Sequence, residues 1–306
     1  MKDIPFVDAH VHFWDLAHLH YGWLTPPFSD SGPNGNVAAI AQTYLPADYL
    51  TDAADWDVAG VVHVDAGAAP SEALAETEWL ERQAETTGLP TGIIAFADLT
   101  DPAVDAHLAS QAAHARVRGI RQIVNWHSQA DRTYTPRDLT TDEAWQRGFS
   151  CLARHGLSFD LQCYPAQMPG LARLFARHPE IPVFVNHLGM PVPSDPDGLE
   201  RWHAGLAALA ALPQVAIKIS GVGFAWRDWD EDRVRPLILN AIDLFGADRV
   251  MFGSDVPTDK LFGSLNSHLS TYHSVVADFT QDEQRDLFGR NANRLYRLDL
   301  DLEMQS

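Results

Sequence analysis

Cysteine and positive charge are both scarce in this chain of 306 residues. Its two cysteines, Cys151 and Cys163, cannot build a disulfide framework, and they lack the C-x-x-C spacing of a structural zinc site. The 22 Lys and Arg residues face 41 Asp and Glu residues, which gives a formal net charge of −19. Because this charge repels phosphate backbones and anionic lipid head groups, we expect neither nucleic acid nor a membrane as a partner.

Long apolar runs are missing as well, since none reaches the length of about 18 residues that a membrane-spanning helix needs. The N-terminus, MKDIPFVDAH, has no basic stretch followed by an apolar one, as a secretory signal would have. Together with the low cysteine content, this predicts a cytoplasmic protein. The sequence does not distinguish a monomer from a homo-oligomer.

Short apolar runs, in contrast, recur along the whole chain and alternate with helix-like stretches. Runs such as VFVNHLG are almost continuously apolar, which is typical of strands buried on both faces of a parallel sheet. The eight runs are Phe6–Phe13, Gly60–Ala66, Gly92–Leu99, Gly119–Val124, Ser158–Cys163, Val183–Gly189, Ala216–Gly221 and Val250–Asp255. The clearest helical stretches between them are Glu72–Thr87, Asp142–His155, Gly198–Leu212 and Asp232–Phe245. Eight strand–helix units predict an α/β protein, a single (β/α)₈ TIM barrel over residues 1–306.

One connection is much longer than the others and covers residues 14–46. It is too rich in turn-forming residues for a single helix, and connections of this length are usually binding loops or lids. Because it follows the first strand, we expect it to lie over the end of the barrel where such enzymes place their active sites. A surface excursion with structural aromatics is an equal alternative.

Two histidines close the first predicted strand in the sequence Asp8-Ala9-His10-Val11-His12. Alternate strand residues point the same way, so His10 and His12 converge on one point. Such a pair suits a divalent ion, or an anionic oxygen if no metal is present. His187 and Asp255 lie at the ends of two other apolar runs, where packing alone would not favour them. Four polar residues at three strand ends favour a functional site.

These residues belong to a longer, ordered pattern. FVDAHVHFWD, FVNHLGMP, AIKISG and MFGSDVPTD occur in this order, and the pattern ends in LFGRNANRLY. From about residue 5 to 297 the chain resembles the amidohydrolase superfamily, specifically its branch of lactone hydrolases. That branch includes fuconolactonase, 2-pyrone-4,6-dicarboxylate lactonase and sulfomuconolactone hydrolase. The resemblance implies a metal-dependent-hydrolase type of barrel that opens a cyclic ester of a sugar acid or of an aromatic-degradation intermediate.

By this resemblance His10, His12, His187 and Asp255 are the catalytic residues. Opening a lactone needs a polarised carbonyl, an activated water and a proton for the leaving oxygen, and one carboxylate can serve both proton transfers. Asp255 is therefore expected to act as general base and then as general acid. Either a metal held by His10, His12 and Asp255 or the imidazoles themselves would polarise the carbonyl.

The superfamily's two-metal members bridge their ions with a modified lysine on the fourth strand. That strand here reads Gly119-Ile120-Arg121-Gln122-Ile123-Val124 and has no lysine, so we expect at most one divalent metal. The resemblance indicates zinc but also allows a metal-free enzyme. Lys218, on the seventh strand, is predicted either as a site residue or as a salt-bridge partner inside the barrel.

Other polar residues at the predicted strand ends are candidates for substrate binding. They are Arg121, His127, Gln162, Tyr164 and His63. The planar guanidinium of Arg121 suits a carboxylate or sulfonate, although a structural pair with an acidic neighbour would explain it equally well. Two other functions remain open: a metal-dependent decarboxylase on the same barrel, and a non-catalytic barrel that binds a small ligand.

Overall fold

The computed structural model describes residues 3–302 and shows eight parallel strands in one sheet, paired in chain order from β1 to β8. The strands are β1 (Pro5–Val11), β2 (Asp57–Val64), β3 (Gly92–Phe96), β4 (Val117–Arg121), β5 (Ser158–Leu161), β6 (Val183–Val185), β7 (Val215–Ile219) and β8 (Val250–Phe252). The residues after β8 return to β1, where Asp255 N–H donates to the carbonyl of His10 at 2.8 Å and His12 N–H to that of Val256 at 2.9 Å. The predicted (β/α)₈ barrel is confirmed.

Helices connect the strands and bury the outer face of the barrel. They are α1 (Pro46–Asp52), α2 (Ala73–Thr87), α3 (Val104–Ala112), α4 (Glu143–Cys151), α5 (Met168–Phe175), α6 (Gly198–Ala210), α7 (Glu231–Phe245), α8 (Leu265–Val275), α9 (Gln281–Arg285) and α10 (Asn291–Tyr296). Several begin at side-chain caps; Asp142 and Asp230, for example, accept backbone N–H groups of the first turns of α4 and α7. The larger apolar core lies between these helices and the strands.

The strands are shorter than the sequence indicates at the end that carries the polar residues. The runs predicted as Val183–Gly189 and Val250–Asp255 remain extended only to Val185 and Phe252. His187 and Asp255 instead lie in the turns that follow, with positive φ angles of 52° and 55°. This backbone region is incompatible with a strand and costs about 1–3 kcal/mol per residue, so the surrounding contacts must hold it.

The inside of the barrel is apolar towards the other end of the strands and is closed there by the C-terminal part of the chain. Val62, Val64 and Phe184 belong to this interior cluster, together with Tyr296 of α10. One charged pair, Lys218 with Asp160, is fully buried among them.

Candidate active site

Asp255 lies in the turn after β8, beside three histidines. Its Oδ1 is 3.1 Å from His12 Nε2 and 3.4 Å from His10 Nε2, and its Oδ2 is 3.8 Å from His187 Nδ1. Burial opposes ionisation of this carboxyl, but His187, the hydrogen bond with His12 and the charge of Arg121 outweigh it and lower its pKa. The four residues predicted as catalytic therefore meet at one point, and their carboxylate is available as a base.

Backbone contacts fix the two histidines of β1. His12 Nδ1 donates to the carbonyl of Val64 on β2 at 2.7 Å, which aims Nε2 at Asp255. His10 is fully buried, and burial, helped by the positive charge of Lys218, holds its pKa well below the usual value. His10 Nε2 and Asp255 Oδ2 have no hydrogen-bond partner among the described residues, so both remain open to a ligand.

Two residues directly after β7, Ser220 and Gly221, position the ring of His187. Its Nδ1 lies 3.1 Å from Ser220 Oγ, and burial lowers its pKa to about 3. Gly221, with a φ of 62°, lets the ring approach the backbone, because a Cβ there would lie 2.6 Å from His187 Nδ1. A side chain at Gly221 would thus displace His187.

Three of these residues offer ligand atoms for one metal ion. An atom from each of His10, His187 and Asp255 lies within 4.8 Å of the others, and all three residues are buried. Two imidazoles and a carboxylate are typical ligands of zinc, and the unpartnered Asp255 Oδ2 fits this use. The set therefore fits one divalent ion by atom type and spacing. This ligand set contains His187, whereas the sequence analysis predicted His12 together with His10 and Asp255. A contribution of His12 as a ligand stays a prediction.

Three of these four residues, His12, His187 and Asp255, line a cavity of about 220 Å³, which is large enough for one small ring. Its lining residues include His12, Trp23, Asn34, Ala66, Gly67, Arg121, Ile123, Tyr134, Gln162, His187, Phe224, Asp255 and Thr258. Trp23 and Asn34 come from the long connection 14–46, so this segment covers part of the site. Tyr134, in the segment after β4, donates its hydroxyl proton to Asn34 Oδ1 at 2.6 Å and joins the two segments above the cavity.

Arg121 reaches the cavity and also pairs with an acidic neighbour. It contacts both the backbone carbonyl and the carboxylate of Asp65, with 3.4 Å between Nε and Oδ2. Its Nη1 lies 3.4 Å from Gln162 Oε1, and Gln162 lines the same cavity. The two alternatives for Arg121, ligand contact and structural pair, are therefore compatible.

The other substrate-binding candidates do not line this cavity. His63 Nδ1 accepts the N–H of Phe13 at 3.1 Å on the outer side of β2, because the neighbouring Val62 and Val64 point inward. His127 and Tyr164 line a separate depression of about 300 Å³, where His127 Nε2 lies 3.1 Å from Asp195 Oδ2. His63 lies within β2, and His127 and Tyr164 lie in the segments that follow β4 and β5, so a role of these three residues in substrate binding stays a prediction.

The comparisons with known proteins agree with this geometry. The model of the amidohydrolase family matches residues 7–298. The chain belongs to the amidohydrolase family. The prediction of an enzyme of this superfamily is thereby confirmed.

Relatives align over almost the whole chain. The uncharacterized protein y4mH of Sinorhizobium fredii is 38% identical, with 97% of this chain and 100% of the relative covered. An L-fucono-1,5-lactonase of Burkholderia ambifaria is 28% identical, with 96% of each chain covered. A zinc-bound structure of an amidohydrolase from Burkholderia multivorans has a TM-score of 0.79 at 26% identity, covering 96% of this chain and 99% of that one. Among residues 3–302, none of the helices is both long and apolar enough to cross a membrane.

Asp8 was missed as a site residue by the sequence reasoning, although it begins the motif that contains His10 and His12. Its Oδ1 accepts the N–H groups of Ser254 at 2.8 Å and His10 at 3.2 Å, and its Oδ2 accepts the hydroxyl proton of Tyr49 at 3.0 Å. Burial raises the pKa of Asp8 to about 6. An aspartate within an apolar strand was the available signal, and in this enzyme it ties β1 to the turn that carries Asp255.

Proposed function

We propose that the protein is a lactonase that opens a small cyclic ester of a sugar acid or of an aromatic-degradation intermediate. The observation that carries this proposal is the position of Asp255, an ionised carboxylate with a free Oδ2 in a small cavity beside three imidazoles. The similarity to an L-fucono-1,5-lactonase over nearly the full length supports the same reaction class.

The reaction uses Asp255 twice. Its carboxylate accepts a proton from a water molecule while the water oxygen attacks the lactone carbonyl carbon. The bond between this carbon and the ring oxygen then breaks, and Asp255 returns the proton to the leaving oxygen. The product is an open hydroxy acid, or its keto form if the leaving oxygen is an enolate.

The negative charge that develops on the carbonyl oxygen needs stabilisation from nearby donors. The imidazoles of His10 and His12 and the guanidinium of Arg121 are the groups proposed for this role and for binding the ring. A divalent ion, zinc by similarity to the related structure, would be held by His10, His187 and Asp255 and would supply Lewis-acid polarisation of the same oxygen. We propose at most one such ion per chain.

The proposed ligand is a small lactone, and the size of the cavity supports a single ring. A pH-indicator screen of purified protein with sugar lactones, muconolactones and pyrone carboxylates tests the proposal, with Asp255→Asn as the control for spontaneous opening. We expect acid release with one of these classes and a product heavier than the substrate by one water. A product that has lost carbon dioxide from an aromatic acid, with no lactone opened, would assign the decarboxylase instead. Binding of a lactone or an aromatic acid without turnover of either would indicate a ligand-binding barrel.

A further inference from the structure

A second depression lies beside the cavity that contains Asp255. It has a volume of about 380 Å³ and is formed largely by residues 28–36 of the long connection, which we call the tip. Trp23, Asn34 and Tyr134 line both this outer depression and the cavity. These three side chains therefore form a partition between the two volumes.

Two members of the partition are fixed to the barrel. Trp23 Nε1 donates to the carbonyl oxygen of Ala66, just after β2, at 2.9 Å. Tyr134 is held through its backbone, because its N–H donates to the carbonyl oxygen of Asn125 at 3.0 Å. The hydroxyl of the next residue, Thr135, donates to the same oxygen at 3.2 Å. Neither Trp23 nor Tyr134 can thus move far without breaking contacts to the strand ends.

The third member, Asn34, belongs to the tip, whose own hydrogen bonds are local. Gly35 N–H, for example, donates to the carbonyl oxygen of Gly32 at 3.1 Å, and this bond does not attach the tip to the barrel. Phe28 packs against the apolar core at one end of the tip. At the other end, Tyr134 donates its hydroxyl proton to Asn34 Oδ1 at 2.6 Å. Burial raises the pKa of Tyr134 well above its usual value, so this donor keeps its proton.

We propose that Tyr134 and Asn34 are specificity-determining residues whose hydrogen bond keeps the partition closed and limits the substrate to a lactone of a single ring. A ring substituent would have to pass between these two side chains to reach the outer depression. The cavity of about 220 Å³ holds one small ring, whereas the two volumes together would hold a second. The inference rests on the proposed function, because it states the size of the lactone that the same site accepts.

Steady-state kinetics with two lactones tests this selection. One is the single-ring lactone that the wild type opens in the screen, and the other is the same lactone with an aryl group on a ring hydroxyl. Tyr134→Phe removes only the hydroxyl donor, and Asn34→Ala removes its acceptor. In each variant we expect kcat/KM for the larger lactone, relative to the smaller, to rise about 2- to 10-fold, the scale of one lost hydrogen bond. The change should lie in KM, with kcat for the smaller lactone retained.

The double variant shows whether the two residues act together. If both act through one hydrogen bond, Tyr134→Phe combined with Asn34→Ala should change the ratio no further than either substitution alone. An unchanged ratio in both single variants, or effects that multiply in the double variant, would overturn the proposal. A loss of kcat on the smaller lactone would also overturn it, because Tyr134 would then act on the reaction itself.

The position of the tip can be measured without any lactone. Spin labels attached through Ser31→Cys in the tip and Glu143→Cys on α4, both exposed positions, report the distance between the tip and the barrel. Cys151→Ser removes the partly exposed thiol, and Cys163 is buried. We expect one narrow distance distribution with Tyr134 present and a second, displaced population in Tyr134→Phe. Identical distributions would overturn the closed partition whatever the substrate is.

Tyr44→Phe is the matched control, because Tyr44 lies in the same connection but outside the partition. Its hydroxyl donates to Asp52 Oδ2 at 2.7 Å. We expect the distances and the lactone ratio of this variant to match those of the wild type. If no lactone is opened but the distances change in Tyr134→Phe alone, the proposed function is wrong and the partition closes on a ligand of another class. If a lactone is opened but the distances do not change, the partition is wrong and the lactonase stands.

Discussion

The ends of β1 and β8 differ sharply from the segments that follow β4 and β6. At β1 and β8, His10 Nε2 and Asp255 Oδ2 are buried without hydrogen-bond partners among the described residues. In the segments after β4 and β6, Asp195 contacts three basic side chains: His127 at 3.1 Å, Arg132 at 2.7 Å and Arg201 at 3.5 Å. Both regions hold a carboxylate among basic groups, but of the two carboxylates only Asp255 keeps a buried oxygen without a partner among the described residues.

This difference distinguishes a carboxylate that is free to react, Asp255, from one with a structural role, Asp195, at the same end of the barrel. A buried polar atom without a partner costs about 1–3 kcal/mol, so each one calls for an explanation, and for Asp255 Oδ2 the adjoining cavity provides it. Both carboxylate oxygens of Asp195 have basic partners, and these ion pairs join two segments beside the cavity. We therefore expect the two carboxylates to respond very differently to substitution.

The largest effect is expected at Asp255. Asp255→Asn keeps the shape of the side chain but removes the base, so turnover of the lactone found in the screen should fall by at least about 100-fold. Steady-state kinetics and circular dichroism measure activity and fold together. A folded variant with near-normal turnover would remove Asp255 from the proposed mechanism.

Arg121 both lines the cavity and forms a structural pair with Asp65, so its substitution should have an intermediate effect on activity. Arg121→Ala leaves Asp65 buried without its guanidinium, which should lower the free energy of unfolding by about 3–5 kcal/mol in a urea titration. Catalytic efficiency should fall mainly through KM, and most strongly with acidic lactones, because the guanidinium binds rather than transfers protons.

Arg121→Lys is the matched control, because it keeps the charge but loses the planar fork. We expect it to recover part of the stability and little of the discrimination between acidic and neutral lactones. A collapse of kcat on both kinds of substrate with KM unchanged would instead place Arg121 among the catalytic residues.

His127 should have only a small effect on catalysis. Its pair with Asp195 is partly exposed, and such pairs contribute about 1 kcal/mol or less, so His127→Gln should change kcat/KM by less than about five-fold. Asp195→Asn, which weakens all three ion pairs, is the comparison variant. If His127→Gln reduced turnover as strongly as Asp255→Asn, the separation between the two regions would be wrong.

Glu76 differs from Asp255 in its position. Its Oε1 is also buried without a hydrogen-bond partner among the described residues, but the residue does not line the cavity. Burial, followed by the charge of Asp65, raises its pKa to about 8 from 4.5. The folded pKa is therefore above the unfolded one, and the stability associated with the bound proton is lost as the pH rises through about 8.

Glu76→Gln imitates the protonated form at every pH. We expect its free energy of unfolding to rise relative to that of the wild type between about pH 5 and pH 8, by up to about 1.4 kcal/mol per pH unit, with turnover unchanged. Urea titrations at several pH values measure this. A difference that does not depend on pH would contradict the raised pKa.

The ring of strands could be predicted because its signals are local. Continuous apolar runs such as those of β6 and β7, separated by helical stretches, specify strands buried on both faces whatever lies around them. The positions of His10, His12, His187 and Asp255 at the strand ends follow from the same pattern, since carboxyl ends of parallel strands meet at one end of a barrel. The face to which His63 points within β2, and the side-chain directions of His127 and Tyr164 beyond β4 and β5, could not be predicted, and this is why all three were expected to bind the substrate.

By itself the sequence determined the barrel, the convergence of three histidines with one aspartate, and the absence of a fourth-strand lysine. The tertiary structure decided which polar atoms are satisfied. The pairing of Lys218 with Asp160 and the ties of Asp8 to Ser254 join residues far apart in the chain, and hydrogen-bond partners across such separations leave no periodic pattern in the sequence. Whether a buried polar group is structural or free to react depends on those partners, because their contacts determine where its protons and lone pairs point.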